Sequence, residues 1–204
     1  GYSSKKGDDS NFLTHFNLIR KLDEKILFQR GTSLNEFLSG KAVCIIGPGG
    51  RMLEGRILLE QAPSIKTMDV VEPDLRNILG LIEDLKILSS DSKTRDQVEK
   101  ITIRRSSINS LHPNTSYALV YGRMVLVPEL FDYKIEKVAE LLEEIANWIT
   151  PGGFLLGLDQ AIGELKVTVD KYFINTTFNE DFDYFDIYQR NNTLAVAAMS
   201  ADQK

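Results

Sequence analysis

Apolar residues along this chain follow two rhythms. Short, largely apolar runs fall at 42–46, 68–72, 101–104, 117–121 and 154–158, the first of them rich in β-branched residues, and each predicts a strand. Between them the spacing turns helical. Residues 51–61 carry Leu53, Ile57 and Leu58 on one face. Residues 74–89 offer Leu75, Ile78, Leu79, Ile82 and Leu85, read here as the inward face. Long amphipathic spacing covers 134–149, and a weaker helical pattern covers 160–172. Ahead of the first strand, 11–38 has helical spacing at Phe12, Phe16, Ile19, Leu22, Ile26 and Leu27, and again at Leu34, Phe37 and Leu38. The break comes near Gly31, where Ser33 is placed to cap a second short helix with Glu36 completing a capping box, and Gly40 closes it. Residues 90–100 read as a charged loop, and Thr150-Pro151-Gly152-Gly153 as a turn before the fifth strand. Two last strands are predicted at 182–189 and 193–199, joined by a turn at Asn191-Asn192, since asparagine tolerates positive φ.

Strand and helix thus alternate five times before a C-terminal antiparallel hairpin. Such alternation implies a parallel sheet covered by helices on both faces, in three layers. The organisation predicted is a disordered tail at 1–10, a helical segment at 11–40 and an α/β domain at 41–204. An apolar share of 43% over 204 residues suffices for one core. Net charge is −5, which argues against a broad nucleic-acid surface. The one cysteine, Cys44, sits inside the first strand, so no intrachain disulfide exists and an inert core thiol is expected. No apolar run reaches the ~18 residues of a membrane helix, and no signal peptide is visible, so a cytoplasmic location is expected.

In open parallel sheets, ligands bind beyond the carboxyl ends of the strands, beside strand one. Four features fall there. Gly47-Pro48-Gly49-Gly50 makes a turn at which backbone can approach a ligand. Glu72, followed by Pro73, ends strand two, where a carboxylate can accept hydrogen bonds from ribose hydroxyls. Ser107 and Ile108 follow strand three, small and apolar enough to border a base. Tyr121 and Gly122 follow strand four. The turn and the carboxylate together point to a nucleoside-containing ligand. As a strand-end group, Glu72 is expected to contribute little to stability.

The order and spacing of the Val43–Gly49 strand and turn, Val70-Val71-Glu72, the Tyr117–Tyr121 strand, Thr150-Pro151-Gly152-Gly153 and the closing hairpin resemble the class I S-adenosylmethionine-dependent methyltransferases. The resemblance covers about residues 41–200. It implies a Rossmann-like seven-stranded sheet with an antiparallel last strand. It also implies S-adenosylmethionine as cofactor and S-adenosylhomocysteine as product. By that resemblance Gly47, Pro48, Gly49 and Gly50 face the methionine part, Glu72 holds the ribose, and Ser107 and Ile108 flank adenine. Methyl transfer to a small molecule is the implied function, with Arg123 placed to hold an anionic substrate. The helices of 11–39 are then free to cover the pocket, pack on the sheet or pair with a second copy as a homodimer.

This chain departs from the family at four places. Ile45 replaces an acidic residue, Arg51 a glycine, Ser107 or Ile108 an aspartate, and Ala118 an aspartate. Each missing charge-assisted hydrogen bond is worth ~1–3 kcal/mol. The alternative function is therefore a catalytically silent methyltransferase fold that binds a partner. Polyamine synthases share the fold, but their aspartate after strand four is absent from Tyr121-Gly122-Arg123. A nicotinamide fingerprint fails at Met52, and a phosphate loop fails because Arg56 follows Gly55. One cysteine and two distant histidines give no zinc spacing. His15 and His112 read as a half-buried face residue and a loop residue, and Trp148 reads as core. No catalytic residue is assigned, because the sulfonium methyl is already activated and alignment is the main demand.

Overall fold

Five of the predicted strands form where the short apolar runs lie, and the sheet they build explains where the glycine turn sits. The computed structural model describes residues 4–122, 134–159, 163–176 and 185–193. Its seven strands have the order β3-β2-β1-β4-β5-β7-β6, with β1 Ala42–Ile46, β2 Thr67–Val71, β3 Ile101–Arg104, β4 Tyr117–Tyr121, β5 Ile149–Asp159, β6 Phe173–Asn175 and β7 Phe185–Arg190. Pairings β1–β2, β2–β3 and β4–β5 are parallel, and β7 is antiparallel to both β5 and β6. The mostly parallel α/β sheet expected from the alternation is therefore present. The chain divides into two compact units, Gly1–Ser107 and Ile108–Lys204.

In the first unit, α1 spans Ser4–Lys21, so helical backbone reaches into the first ten residues. It runs on through a π-helical turn at Leu22–Leu27 and a 3-10 turn at Phe28–Arg30, and Gly31 ends it at φ 76°. Ser33 caps α2 (Leu34–Phe37) by accepting from the Glu36 amide at 3.1 Å. The Glu36 carboxylate accepts from the Thr32 hydroxyl at 3.2 Å instead of completing a capping box with the Ser33 amide. The helices α3 (Leu53–Gln61) and α4 (Leu75–Ser90) follow β1 and β2. Cys44 is fully buried with its strand neighbours.

Two expectations for this unit need correction. The inward face of α4 is Ile78, Leu81, Asp84 and Leu88, whereas Leu75, Leu79 and Ile82 are exposed. The helix carries two apolar stripes, and the sequence pattern alone cannot choose between them. Residues 90–100 are not all loop, since α5 occupies Arg95–Val98.

In the second unit, α6 (Ile135–Trp148) leads straight into β5, and the Thr150–Gly153 stretch lies inside that strand rather than before it. Tyr117 pairs with Ile149 and Leu119 with Phe154, so two steps along β4 oppose five along β5. The extra residues bulge out. Gly152 has φ 82°, and a Cβ on Gly153 would lie 2.8 Å from the Ala118 carbonyl oxygen, so glycines are required there. The weak helix is α7 (Gly163–Tyr172). It runs into β6, which the sequence pattern missed because no breaker separates Tyr172 from Phe173. Among the described residues β7 therefore lies between β5 and β6, antiparallel to both; the strand expected at 193–199 falls almost wholly outside them. Asn191 still forms the local turn, its side-chain oxygen accepting from the Thr193 amide at 2.9 Å. Trp148 is core, as expected. No described helix is long and apolar enough to cross a membrane.

Arg190, 6% exposed, ties this unit together. Its guanidinium donates to the carbonyls of Ala146 (2.9 Å), Tyr172 (3.3 Å) and Asn191 (3.0 Å), to the Asn191 side chain (2.9 Å) and to the Thr193 carbonyl. Burial lowers its pKa from the ordinary value. Nearby, the Tyr172 hydroxyl donates to Glu143 at 2.7 Å, joining α7 to α6; burial first, then that bond, raises the phenol's pKa. Arg190→Met keeps most of the packing but strands these buried carbonyls. It is expected to cost about 2–4 kcal/mol, read as a lower urea midpoint with an unchanged slope.

Candidate functional site

The turn after β1 is held from three sides within the first unit. Its start continues the ladder, with the Gly47 amide donating to the Val71 carbonyl at 2.8 Å. Gly47 and Gly49 lie at φ 57° and 76°, in the left-handed region that favours glycine. Glu72, one residue beyond β2, closes the second side. Its Oε2 accepts from the Gly49 amide at 3.1 Å, and its Oε1 accepts from the Asp74 amide at 3.1 Å and the Asn77 side-chain amide at 3.3 Å. Glu72 is 4% exposed. It is therefore not a solvated strand end; its burial is tolerated because three donors and the start of α4 surround the charge. Asp74 caps α4 by accepting from the Arg76 amide at 2.8 Å, and that backbone bond is the main cause of its lowered pKa.

The third side is α4 itself. A Cβ on Gly80 would lie 2.5 Å from the Gly50 carbonyl oxygen, so the helix backbone rests directly on the turn. One turn further, Asp84 Oδ2 accepts from the Met52 amide at 2.8 Å and from Arg51 Nε at 3.2 Å. Asp84 thus satisfies an otherwise orphan amide at the start of α3 from a neighbouring helix. Arg51, which stands where the family carries a glycine, is the surface arm of this clamp, with its side chain 45% exposed.

The remaining candidates have separate settings. Pro73 is exposed and hands the chain from Glu72 to the Asp74 cap. Ser107 is exposed at the end of the first unit. Ile108 opens a 3-10 turn, Ile108–Ser110, in the second unit. Tyr121 is 1% exposed at the end of β4, and the buried Gly122 amide donates to the Leu156 carbonyl at 2.9 Å. Arg123 lies outside the described residues. Ile45, at the family's acidic position, is 1% exposed, and Ala118 is 2% exposed. Among the described residues no cluster suits a metal ion. The structure therefore brings Gly47, Gly49, Gly50 and Glu72 together, and adds Asn77, Gly80 and Asp84, which sequence reasoning missed. Their signal was a small and polar stripe at i, i+3 and i+7 on an otherwise apolar helix.

His15 is another departure. It is 7% exposed rather than half-buried, and its Nε2 lies 3.3 Å from Glu54 Oε2 on α3. This buried pair fixes α1 against the helix that begins at the glycine turn.

A carboxylate has about four acceptor sites, so one remains on Glu72 Oε2, and the longest existing bond is that from Asn77. A Cβ built on Gly49 would meet nothing within 4 Å, so that face of the turn is open to an approaching group.

The architecture is that of the class I methyltransferases. No family model matches the chain, and no curated protein matches it. Among solved structures, the N-methyltransferase NodS from Bradyrhizobium japonicum WM9 is 12% identical with a TM-score of 0.52, covering 83% of this chain and 99% of NodS. Its complex with S-adenosyl-L-homocysteine is 15% identical with a TM-score of 0.50, covering 87% and 98%. A provisionally described rRNA methylase from Clostridium thermocellum is 12% identical with a TM-score of 0.55, covering 82% and 97%. At such identities the shared property is the fold.

The contact between α4 and the turn gives a test with a diagnostic sign. Alanine for glycine within a helix ordinarily stabilises by about 1 kcal/mol. Gly80→Ala is expected instead to destabilise by about 1–3 kcal/mol, because the methyl would strike the Gly50 carbonyl. Thermal melting and the amide shifts of residues 49–52 would read it.

Proposed function

We propose that this chain binds S-adenosylmethionine at the glycine turn and transfers its methyl group to a small molecule. The observation that carries the reading is the Glu72 carboxylate lying 3.1 Å from the Gly49 amide. This single contact joins the two features that point to a nucleoside ligand. Glu72 would accept from a ribose hydroxyl through the open site on Oε2, with the Asn77 amide giving way to a second hydroxyl. Gly47, Pro48, Gly49 and Gly50 would border the methionine part. Ser107 and Ile108 flanking adenine, Tyr121 and Gly122 at the mouth after β4, and an anionic acceptor held by Arg123 belong to the same proposal.

The bound cofactor supplies an electrophilic methyl on sulfur. The chain's own task is then to hold the turn rigid and to admit a nucleophile on the right line, at about 3–3.5 Å. The clamp of Asp84, Met52 and Arg51 serves the first demand, since a fixed turn loses little freedom on binding. No side chain is assigned as a general base.

A second reading is favoured by the same carboxylate. Glu72 is already satisfied by three protein donors and nearly covered. In that reading the polar groups serve only to brace the turn, and the fold is a silent module that binds a partner.

Titration calorimetry with S-adenosylmethionine and S-adenosylhomocysteine separates the two. Saturable heat is expected, and no heat at millimolar ligand would leave the silent reading. Glu72→Ala is expected to weaken binding by ~2–3 kcal/mol, or about 30- to 150-fold. The same variant should lower stability by about 1–3 kcal/mol, contrary to the expectation for a solvated strand end, because three donors lose a buried acceptor. An unchanged dissociation constant in a folded Glu72→Ala protein would remove the ribose role. Gly49→Val should leave a folded protein that does not bind, since a β-branched residue is strained at φ 76° and its methyls would fill the open face. Normal binding by that variant would place the cofactor elsewhere.

A further inference from the structure

At the far ends of α3 and α4 from the glycine turn, the first unit holds a cavity of about 400 Å³. From Leu75 to Leu88, α4 rises about 20 Å, so this cavity and the turn are separate places. Leu59, Leu88, Val98 and Ile101 supply its apolar wall. The wall is tied rather than loose. The Thr94 hydroxyl donates to the Leu88 carbonyl, Arg95 Nε to the Ser89 carbonyl, and Lys100 Nζ reaches across to the Pro63 carbonyl. These bonds tie the segment that carries α5 to the end of α4 and to the Pro63 carbonyl.

Gln97, on α5, lines the same cavity. Its side-chain oxygen is covered and has no hydrogen-bond partner. Buried amide oxygens are seldom left so, and a terminal amide rotates easily about its last torsion. Turned inward, it would offer a single strong acceptor in an apolar setting. The charges lining the cavity cancel, with Arg56 and Lys93 against Glu60 and Asp91. A net charge on a ligand would therefore gain little from them. The volume falls in the range of small-molecule sites, about 300–1,000 Å³.

We propose that this cavity binds a small heterocycle of one or two rings, without net charge, whose N–H donates to Gln97. The apolar body replaces water against Leu59, Leu88, Val98 and Ile101, and the N–H satisfies the unpaired Gln97 oxygen. The site is independent of the glycine turn and does not rest on the methyltransferase reading.

Indole and 1-methylindole test it, being nearly the same shape with and without the donor. Each would be titrated into the full chain while amide resonances are followed. Indole is expected to give saturable shifts centred on Thr94, Gln97, Val98 and Ile101. It should bind at least tenfold more tightly than 1-methylindole. In Gln97→Leu that preference should vanish, with circular dichroism confirming the fold. Should that variant fail to fold, the comparison of the two probes on the unmodified chain still decides. Equal binding of both probes, shifts centred elsewhere, or no saturable shift would overturn the proposal.

Discussion

The buried carboxylate of Glu72 is the interaction on which the glycine turn depends. A charge taken out of water is costly unless several donors replace the lost hydration. Here the donors come from three places: the turn at Gly49, the link at Asp74 and the first helical turn at Asn77. Satisfying one carboxylate therefore fixes the end of β2, the start of α4 and the middle of the turn at once. The rest of α4 follows from that anchor. Once its first turn is pinned, Gly80 meets the Gly50 carbonyl and Asp84 reaches the Met52 amide one turn later.

This arrangement has two consequences that pull against each other. A turn braced by Glu72 and Asp84 is preorganised, which favours any ligand that fits it. Yet three of the carboxylate's about four acceptor sites are already occupied, so a ligand bringing two donors would add one bond and displace one protein donor. The gain from the displaced bond is small, because the same acceptor only changes its donor. The departures from the family pattern fit such a braced site. Arg51, in place of a glycine, supplies a guanidinium to Asp84.

Elsewhere the helices are fixed by the same principle of satisfying buried polar groups from a neighbouring element. His15 and Glu54 join α1 to α3 within the first unit. In the second unit Arg190 gathers carbonyls from the end of α6, the α7–β6 junction and the 191–193 turn. None of these partners is close in sequence to the group it satisfies, apart from the last turn.

By itself the sequence determined the alternation of strands and longer helices through β5, the positions of β1, β3 and β4, the Ser33 cap and the parallel sheet. These follow from local rules: β-branched runs for buried strands, helical spacing for the covering layers, and glycine where the backbone must turn. It also placed Gly47, Gly49, Gly50 and Glu72 as candidates, since a strand end and a glycine turn are local signals. Tertiary structure alone decided which stripe of α4 faces inward, because Leu75, Leu79 and Ile82 match Ile78, Leu81 and Leu88 in hydrophobicity. Only packing against the turn breaks that tie, through Gly80 and Asp84. It likewise converted Thr150–Gly153 from a turn into a bulge within β5, and made β6 from three residues with no boundary before them, because strand pairing across the sheet outweighs local propensity. Glu72 shows the same division most directly. Its position was legible as a strand end, but its burial was not, since the three donors that permit it come together only when β1, β2 and α4 pack.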